Sequence, residues 1–162
     1  MTQGGSGTFN LPLSLSGRSI EPRTDSSNGA GIYTIVFTFD QTVNSGTASM
    51  TGTGMVSSVS FSGTSMIIGL SGITDQQTVT VTAMNVSGPG TATQPSVSVN
   101  VGFLIGDVNG DGFVNVGDTI IVRGHAGVTL DNTNFEYDVN ADGAVNAGDS
   151  VAVRSRSGDY LP

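Results

Sequence analysis

The chain has 162 residues, a formal net charge of −8, 24 glycines and no cysteine. The missing cysteine excludes disulfides and thiolate metal sites. Arginine is the only permanently cationic residue type, so the basic surface that nucleic acids and anionic membranes require is absent. No part of the sequence approaches the roughly 18 consecutive apolar residues of a membrane span. We therefore predict neither nucleic-acid binding nor membrane insertion.

The first predicted strand covers residues 9–16, after a lead of glycine, serine and threonine over residues 1–8 that is expected to be flexible. Residues 9–16 place large apolar side chains at alternate positions, as a strand with one buried face does. Pro12 has no backbone N–H, which favours the edge of a sheet. A turn-rich loop is predicted over residues 17–30. A strand tethered in this way can leave its own sheet and pair with another molecule.

Six more strands are predicted from alternating hydrophobicity and from the turn residues between them. The strongest covers residues 32–39, where Tyr33, Ile35, Phe37 and Phe39 share one face. The others are expected over residues 46–52, 54–62, 65–70, 77–86 and 95–104. Seven short strands in about 100 residues are typical of an immunoglobulin-like sandwich. We predict such a β-sandwich over residues 1–105, in a chain that is mainly β.

The C-terminal part of the chain contains an internal repeat. The sequence DVNGDGFVNVGD at residues 107–118 returns 31 residues later as DVNADGAVNAGD at residues 138–149. Each copy leads into a short apolar-periodic stretch, which predicts one helix over residues 119–126 and another over residues 150–157. We therefore predict a second, small domain over residues 106–162, joined to the sandwich by a stiff junction of one glycine.

Both copies of the repeat have the oxygen ligands of an EF-hand loop at positions 1, 3, 5 and 12, with glycine at position 6. A calcium ion takes six to eight oxygen ligands, whereas magnesium demands near-octahedral geometry and retains waters. The predicted metal ligands are Asp107, Asn109, Asp111, the Phe113 carbonyl and Asp118, and Asp138, Asn140, Asp142, the Ala144 carbonyl and Asp149. Asn115 and Asn146 at position 9 are expected to act through water. The prediction is two Ca²⁺ per chain and no other cofactor.

Two such loops, each followed by one helix and ending in aspartate at position 12, resemble the type I dockerin module. The resemblance implies two F-hand-like calcium sites related by a pseudo-twofold axis, with residues 104–105 and 160–162 clasping the ends of the module together. Residues 8–104 resemble the immunoglobulin-like segment that precedes dockerin-like repeats in large secreted bacterial proteins. The stretches that carry this second resemblance are GTFNLPL at 7–13, IEPRT at 20–24, YTIVFTF at 33–39 and SGDYLP at 157–162. It implies an extracellular or cell-surface location.

The partner is less well defined by the sequence. In dockerins that bind cohesins, the contact uses loop positions 10 and 11, which commonly carry hydroxyl groups. Here these positions are Val116-Gly117 and Ala147-Gly148, which departs from the family pattern. The sequence therefore favours a calcium-stiffened structural subunit or tail unit that self-associates into a pilus-like surface filament by strand addition, or that binds another extracellular protein. The alternative is a dockerin that attaches a larger secreted protein to a cohesin-like scaffold.

No catalytic residue is predicted. The chain has a single histidine, His125, and no cysteine, lysine or Gly-x-Ser-x-Gly nucleophile motif. Most aspartates belong to the two loops, which leaves few candidates for acid–base chemistry. The absence of tryptophan also disfavours a carbohydrate-binding platform. The sequence predicts a protein that is not an enzyme.

Overall fold

The computed structural model describes residues 1–24, 31–90 and 92–162, and in these residues the chain forms nine strands and two α-helices. The strands are β1 Thr2–Gln3, β2 Gly7–Thr8, β3 Arg18–Glu21, β4 Tyr33–Thr38, β5 Ser45–Met50, β6 Met55–Ser62, β7 Ser65–Ser71, β8 Gln77–Ser87 and β9 Val97–Phe103. The helices are α1 Val116–Gly124 and α2 Ala147–Ser155. Neither is long and apolar enough to cross a membrane, and the same holds for every helix in the described residues.

Strands β3 to β9 form two sheets that pack face to face, as in an immunoglobulin-like sandwich. One sheet has the order β3-β9-β8-β5, and the other has the order β4-β7-β6. Strand β3 runs parallel to β9, and all the other pairs are antiparallel. Alternation puts Met66, Ile68 and Leu70 of β7 into the core with no exposed surface. The six strands predicted over residues 32–104 are confirmed, each within two residues of its predicted ends.

The strand predicted over residues 9–16 is wrong, because these residues form no strand in the structure. Phe9 leaves the sandwich and stacks on Phe135, with ring centroids 5.7 Å apart. At the other end of the segment, the Ser14 hydroxyl accepts hydrogen bonds from the Ser16 and Gly17 N–H groups, which closes a turn. The alternation of apolar and polar residues therefore does not produce a strand here, because Phe9 packs against an aromatic residue far away in the sequence.

The first 21 residues differ from the prediction in two further ways. Residues 1–8 are not a flexible lead, since β1 and β2 pair as a small antiparallel hairpin. Within the loop predicted over residues 17–30, residues 18–21 form β3, which takes the edge of a sheet beside β9. Residues 17 and 22–24 of that predicted loop form no strand, and residues 25–30 lie outside the described residues.

The two α-helices begin three residues earlier than the sequence predicts. Asn115 and Asn146 are their N-caps, and the aspartate three residues on completes a capping box at each helix. The helices therefore start inside the repeated motif rather than after it. They enclose a second hydrophobic core, which includes Leu104, Ile105 and Leu161 and so brings both ends of this region together.

Contacts across Gly106 hold the β-sandwich against this second core. One carboxylate oxygen of Asp75 accepts a hydrogen bond from the Ile105 N–H at 2.8 Å, and the other forms an ion pair with Arg156. The Pro22 carbonyl accepts a hydrogen bond from the Gly106 N–H at 2.9 Å. Contacts from both sides thus brace the short junction, and its stiffness stays a prediction.

Candidate metal centre

The first aspartate of the repeated motif winds the loop around its own carboxylate. Asp107 accepts hydrogen bonds from the N–H groups of Gly110 at 2.9 Å, Asp111 at 3.2 Å and Gly112 at 2.8 Å. Gly110 and Gly112 have φ of +74° and +89°, a backbone region that favours glycine. The loop therefore turns tightly at the positions where the motif places its glycines.

The last aspartate of the motif reaches back across the loop from the first turn of the helix. Asp118 accepts hydrogen bonds from the N–H groups of Val108 at 3.0 Å and Asn115 at 2.9 Å. This carboxylate links the two ends of the loop, as position 12 of a cation-binding loop must. Asp107 and Asp118 are both buried, with 1% and 0% of their surface exposed.

The second loop repeats this arrangement. Asp138 accepts hydrogen bonds from the N–H groups of Asp142 at 3.1 Å and Gly143 at 2.9 Å. Asp149 accepts from the N–H groups of Asn140 at 3.1 Å and Asn146 at 2.8 Å. The structure therefore gives both copies of the motif the same wound conformation.

The side chains at positions 3, 5 and 9 have distinct places in the loop. Asn109 and Asp111 lie at the surface and hydrogen-bond to each other at 2.9 Å. Asn115, which the sequence suggests as a water-bridged ligand, accepts a hydrogen bond from the Gly117 N–H at 2.7 Å and caps α1. Asn146 does the same for α2 through the Gly148 N–H at 2.6 Å. Capping is therefore the direct role of position 9, and a water-bridged contact stays a prediction.

The loops concentrate negative charge that no cationic side chain of the described residues pairs with. Within the described residues the ion pairs are Glu21–Arg23 and Asp75–Arg156, and neither involves a loop aspartate. Burial raises the pKa of Asp107 and of Asp149, and it raises the pKa of Asp138 to about 6, with the neighbouring carboxylates adding to each shift. Removing carboxylates from water without a counter-charge is costly. A cation held among them would offset that cost.

The donor set fits a hard cation, since every candidate ligand atom is an oxygen. In the described residues, no group of three aspartate, glutamate or histidine side chains can hold a metal by itself. A complete coordination shell therefore needs the asparagine and backbone carbonyl oxygens of each loop as well as its carboxylates. This is the mixed set that the EF-hand pattern supplies.

His125 takes no part in either loop. Its ring stacks on Tyr137, with centroids 4.0 Å apart, and its Nδ1 lies 2.8 Å from the Ile121 carbonyl oxygen. The stacking holds the end of α1 against the segment that leads to the second loop, and the contact with Ile121 lies within the last turn of α1. The single histidine therefore has a packing role.

Comparison with known families gives one match. The model of the dockerin type I domain matches residues 105–156, about a third of the chain. The comparison with curated proteins and the comparison with solved structures found no match. Dockerin domains are non-catalytic modules that bind calcium and bind cohesins, so a calcium cofactor and a protein partner of the cohesin kind are supported here.

The match also bears on the two functions that the sequence left open. It supports docking to a cohesin-bearing scaffold better than the structural-subunit interpretation that the sequence favoured, and it gives pilus or filament assembly no support. The missing hydroxyls at positions 10 and 11 are thus weaker evidence against docking than the sequence suggested, because the family match extends over both loops and both helices. Residues 105–156 are therefore similar to a dockerin type I domain, and a mainly β region consistent with an immunoglobulin-like domain precedes them.

Proposed function

We propose that this protein is a secreted docking protein, in which a dockerin domain over residues 106–162 binds two calcium ions and attaches the β-sandwich of residues 1–105 to a cohesin-bearing partner. The observation that supports this most is that two copies of one motif adopt the same wound loop, with buried carboxylates that form no ion pair within residues 1–24, 31–90 and 92–162. The proposed ligands are Asp107, Asn109, Asp111, the Phe113 carbonyl and Asp118 in one loop, and Asp138, Asn140, Asp142, the Ala144 carbonyl and Asp149 in the other.

Calcium would supply the positive charge that each loop lacks, while the chain's own residues set the path of the loop. The glycines allow the tight turn, and the position-12 aspartates tie each loop to the first turn of its helix. Occupancy of each loop therefore orients the helix that follows it. This is how metal binding can shape a docking surface.

The proposed docking surface is made of equivalent positions on the two helices. Val116 and Ile120 of α1 are 70% and 64% exposed. The positions that follow 31 residues later on α2 are Ala147 and Val151, both exposed. Apolar side chains that recur at the same exposed positions are unusual on a surface that only meets water. They are available for a partner to cover.

Docking can be tested by measuring the affinity of the chain for a panel of type I cohesins, with calcium and with EGTA. We expect binding in calcium and none in EGTA. The double variant Ile120→Asp, Val151→Asp is expected to weaken binding by about 100-fold, because burying the new charges in the interface costs desolvation free energy. Met55→Asp is the matched control, since Met55 is an equally exposed apolar residue on β6 of the sandwich. The proposal would be contradicted if the double variant and the Met55→Asp control weakened calcium-dependent binding alike, or if the chain bound no cohesin.

Calcium binding to the second loop is expected to weaken as the pH falls through about 6, the pKa of Asp138. The raised pKa means that this carboxyl holds a proton below that pH, and calcium must displace the proton in order to bind. The apparent affinity should then fall by up to about tenfold per pH unit, as for one displaced proton. Calorimetric titrations at pH 7.5 and pH 5 measure this effect. Asp131→Asn, at an exposed carboxyl outside the loops, should leave it unchanged, whereas equal affinities at both pH values would contradict it.

Self-assembly by strand addition is a second candidate function, and it rests on the sandwich alone. In the described residues β4 pairs only with β7, so its other edge is open. That edge borders a groove of about 1060 Å³, lined by Ile35, Val99 and part of residues 10–15. A strand from a second copy, such as its residues 9–16, has the alternation that this groove requires. Light scattering of the calcium-loaded protein tests it: oligomers that a peptide of residues 9–16 disperses support assembly, and a monomer at all concentrations opposes it.

A further inference from the structure

The first loop is clasped by the end of the repeat region. The Leu161 N–H donates a hydrogen bond to the Gly112 carbonyl at 3.0 Å, and the Val114 N–H donates to the Asp159 carbonyl at 2.8 Å. The Gly158 N–H completes this short antiparallel contact by donating to the Val114 carbonyl at 2.9 Å. Residues 158–161 therefore hold the half of the first loop that follows its glycine.

The repeat predicts that residues 127–130 should clasp the second loop in the same way, and they do so only in part. The equivalent of the Gly158–Val114 bond is present, because the Gly127 N–H donates to the Val145 carbonyl at 2.9 Å. The chain then diverges, and no hydrogen bond joins Leu130 to Gly143 in the described residues. The Gly143 carbonyl instead accepts a hydrogen bond from the Ser6 hydroxyl at 2.7 Å. A residue of the N-terminal hairpin thus occupies the place that Leu161 has on the first loop.

The β1–β2 hairpin is fitted closely to this place. The Gly4 N–H donates to the Ala141 carbonyl at 3.1 Å, and the fully buried Gln3 side chain donates to the Phe135 and Asp138 carbonyls at 2.7 and 3.2 Å. Gly4 has φ of +49°, and a Cβ at this position would lie 2.0 Å from the Asp142 carbonyl oxygen. Only glycine fits there, because the hairpin turn rests directly on the loop backbone.

We infer that residues 1–8 are a positioning element of the second calcium site, an inference that rests on the proposed function. The hairpin contacts the backbone of Asp138 and Asp142, which are two of the proposed ligands, without supplying a ligand itself. Holding this backbone before the ion arrives lowers the ordering cost of binding. The coupling is reciprocal, so calcium in the second loop also strengthens docking of the hairpin. The two loops are similar in sequence, but the calcium affinity of the second loop depends on residues 1–8 and that of the first loop does not.

The test follows the amide resonances of Gly112 and Gly143 by NMR while calcium is added to the full chain. Each of these glycines lies at position 6 of its loop, so each reports on one site. Gly4→Ala is expected to lower the calcium affinity of the second loop by about tenfold and to change that of the first loop by less than about twofold. Ser6→Ala removes one hydrogen bond and leaves the turn intact, so a smaller loss in the same loop is expected.

Two glycine variants control for effects unrelated to the contact. Gly5→Ala adds a methyl group in the same turn, where no atom lies within 4 Å. Gly63→Ala imposes a similar left-handed strain, with φ of +58°, in the distant β6–β7 turn where space is open. Both should leave the two affinities unchanged. If Gly4→Ala leaves both affinities as they were, or lowers both alike, the inference is overturned. If neither glycine of the unmodified protein responds to calcium, the proposed function itself has failed.

Discussion

Excess EGTA is expected to unfold residues 106–162 while the β-sandwich stays folded. The core of this region is a cluster of nine buried apolar residues, seven of them within residues 106–162, beside four buried aspartates that form no ion pair in the described residues. A small domain of this kind has little stability to spare. Calcium at about 100 times its dissociation constant contributes roughly 2.7 kcal/mol per site. Removing two ions therefore lowers the free energy of unfolding of this region by roughly 5 kcal/mol.

The helical far-UV circular dichroism signal measures this loss, and hydrogen exchange locates it. We expect α1 and α2 to lose protection in EGTA, while β7 and β8, at the centre of the sandwich, keep theirs. Magnesium at the same concentration should not restore the helical signal, because the loops offer many flexible oxygen ligands rather than a small octahedral site. Full helicity in excess chelator would contradict a structural role for the metal.

Arg23→Met is expected to lower the free energy of unfolding by about 3–5 kcal/mol, the usual cost of breaking a buried ion pair. Arg23 is fully buried and makes a two-pronged contact with Glu21, at 2.6 and 2.7 Å. Its guanidinium lies over the Phe135 ring, 4.6 Å from the centroid, and donates to the Phe9 carbonyl. The substitution leaves the Glu21 carboxylate buried without its cationic partner, with only the backbone N–H of residue 23 still donating to it at 3.1 Å. It also weakens the contact between the sandwich and the C-terminal region.

Urea denaturation in saturating calcium measures the effect of Arg23→Met. Arg154→Met is the matched control, since Arg154 is exposed and its loss should cost less than about 0.5 kcal/mol. Adding Glu21→Gln to Arg23→Met should recover part of the stability, because it removes the stranded charge. A loss below about 1 kcal/mol for Arg23→Met would show that the pair is not structural.

The two wound loops of the repeat were predictable because their signal is local. Ligand positions, glycines and helix caps all lie within 12 residues, and the repeat shows the pattern twice. The strands over residues 32–104 were predictable for the same reason, since alternation is read from neighbouring residues. The helix starts were misplaced because Asn115 and Asn146 serve the loop and the helix cap at once.

The N-terminal hairpin and its contacts with the second loop could not be predicted, because the residues that meet there are distant in the sequence. Gln3 hydrogen-bonds to a carbonyl 132 residues away, and glycine-rich residues 1–8 carry no pattern that points to it. The alternation in residues 9–16 predicted a strand, but stacking on Phe135 and the Ser14 turn prevail. The sequence preferred assembly to docking because positions 10 and 11 lack hydroxyls, whereas the match over residues 105–156 supports docking better.

The most direct test of the account is the number of calcium ions that the intact chain binds, measured by isothermal titration calorimetry on metal-free protein at neutral pH. We predict two ions per chain, with one lost in Asp118→Ala and the other in Asp149→Ala, because each substitution removes the carboxylate that closes one loop. Asn115→Ala should keep both ions, since the direct role of its side chain is to cap the helix. One ion or none in the unmodified chain, or two ions retained when Asp118 is replaced, would contradict the account.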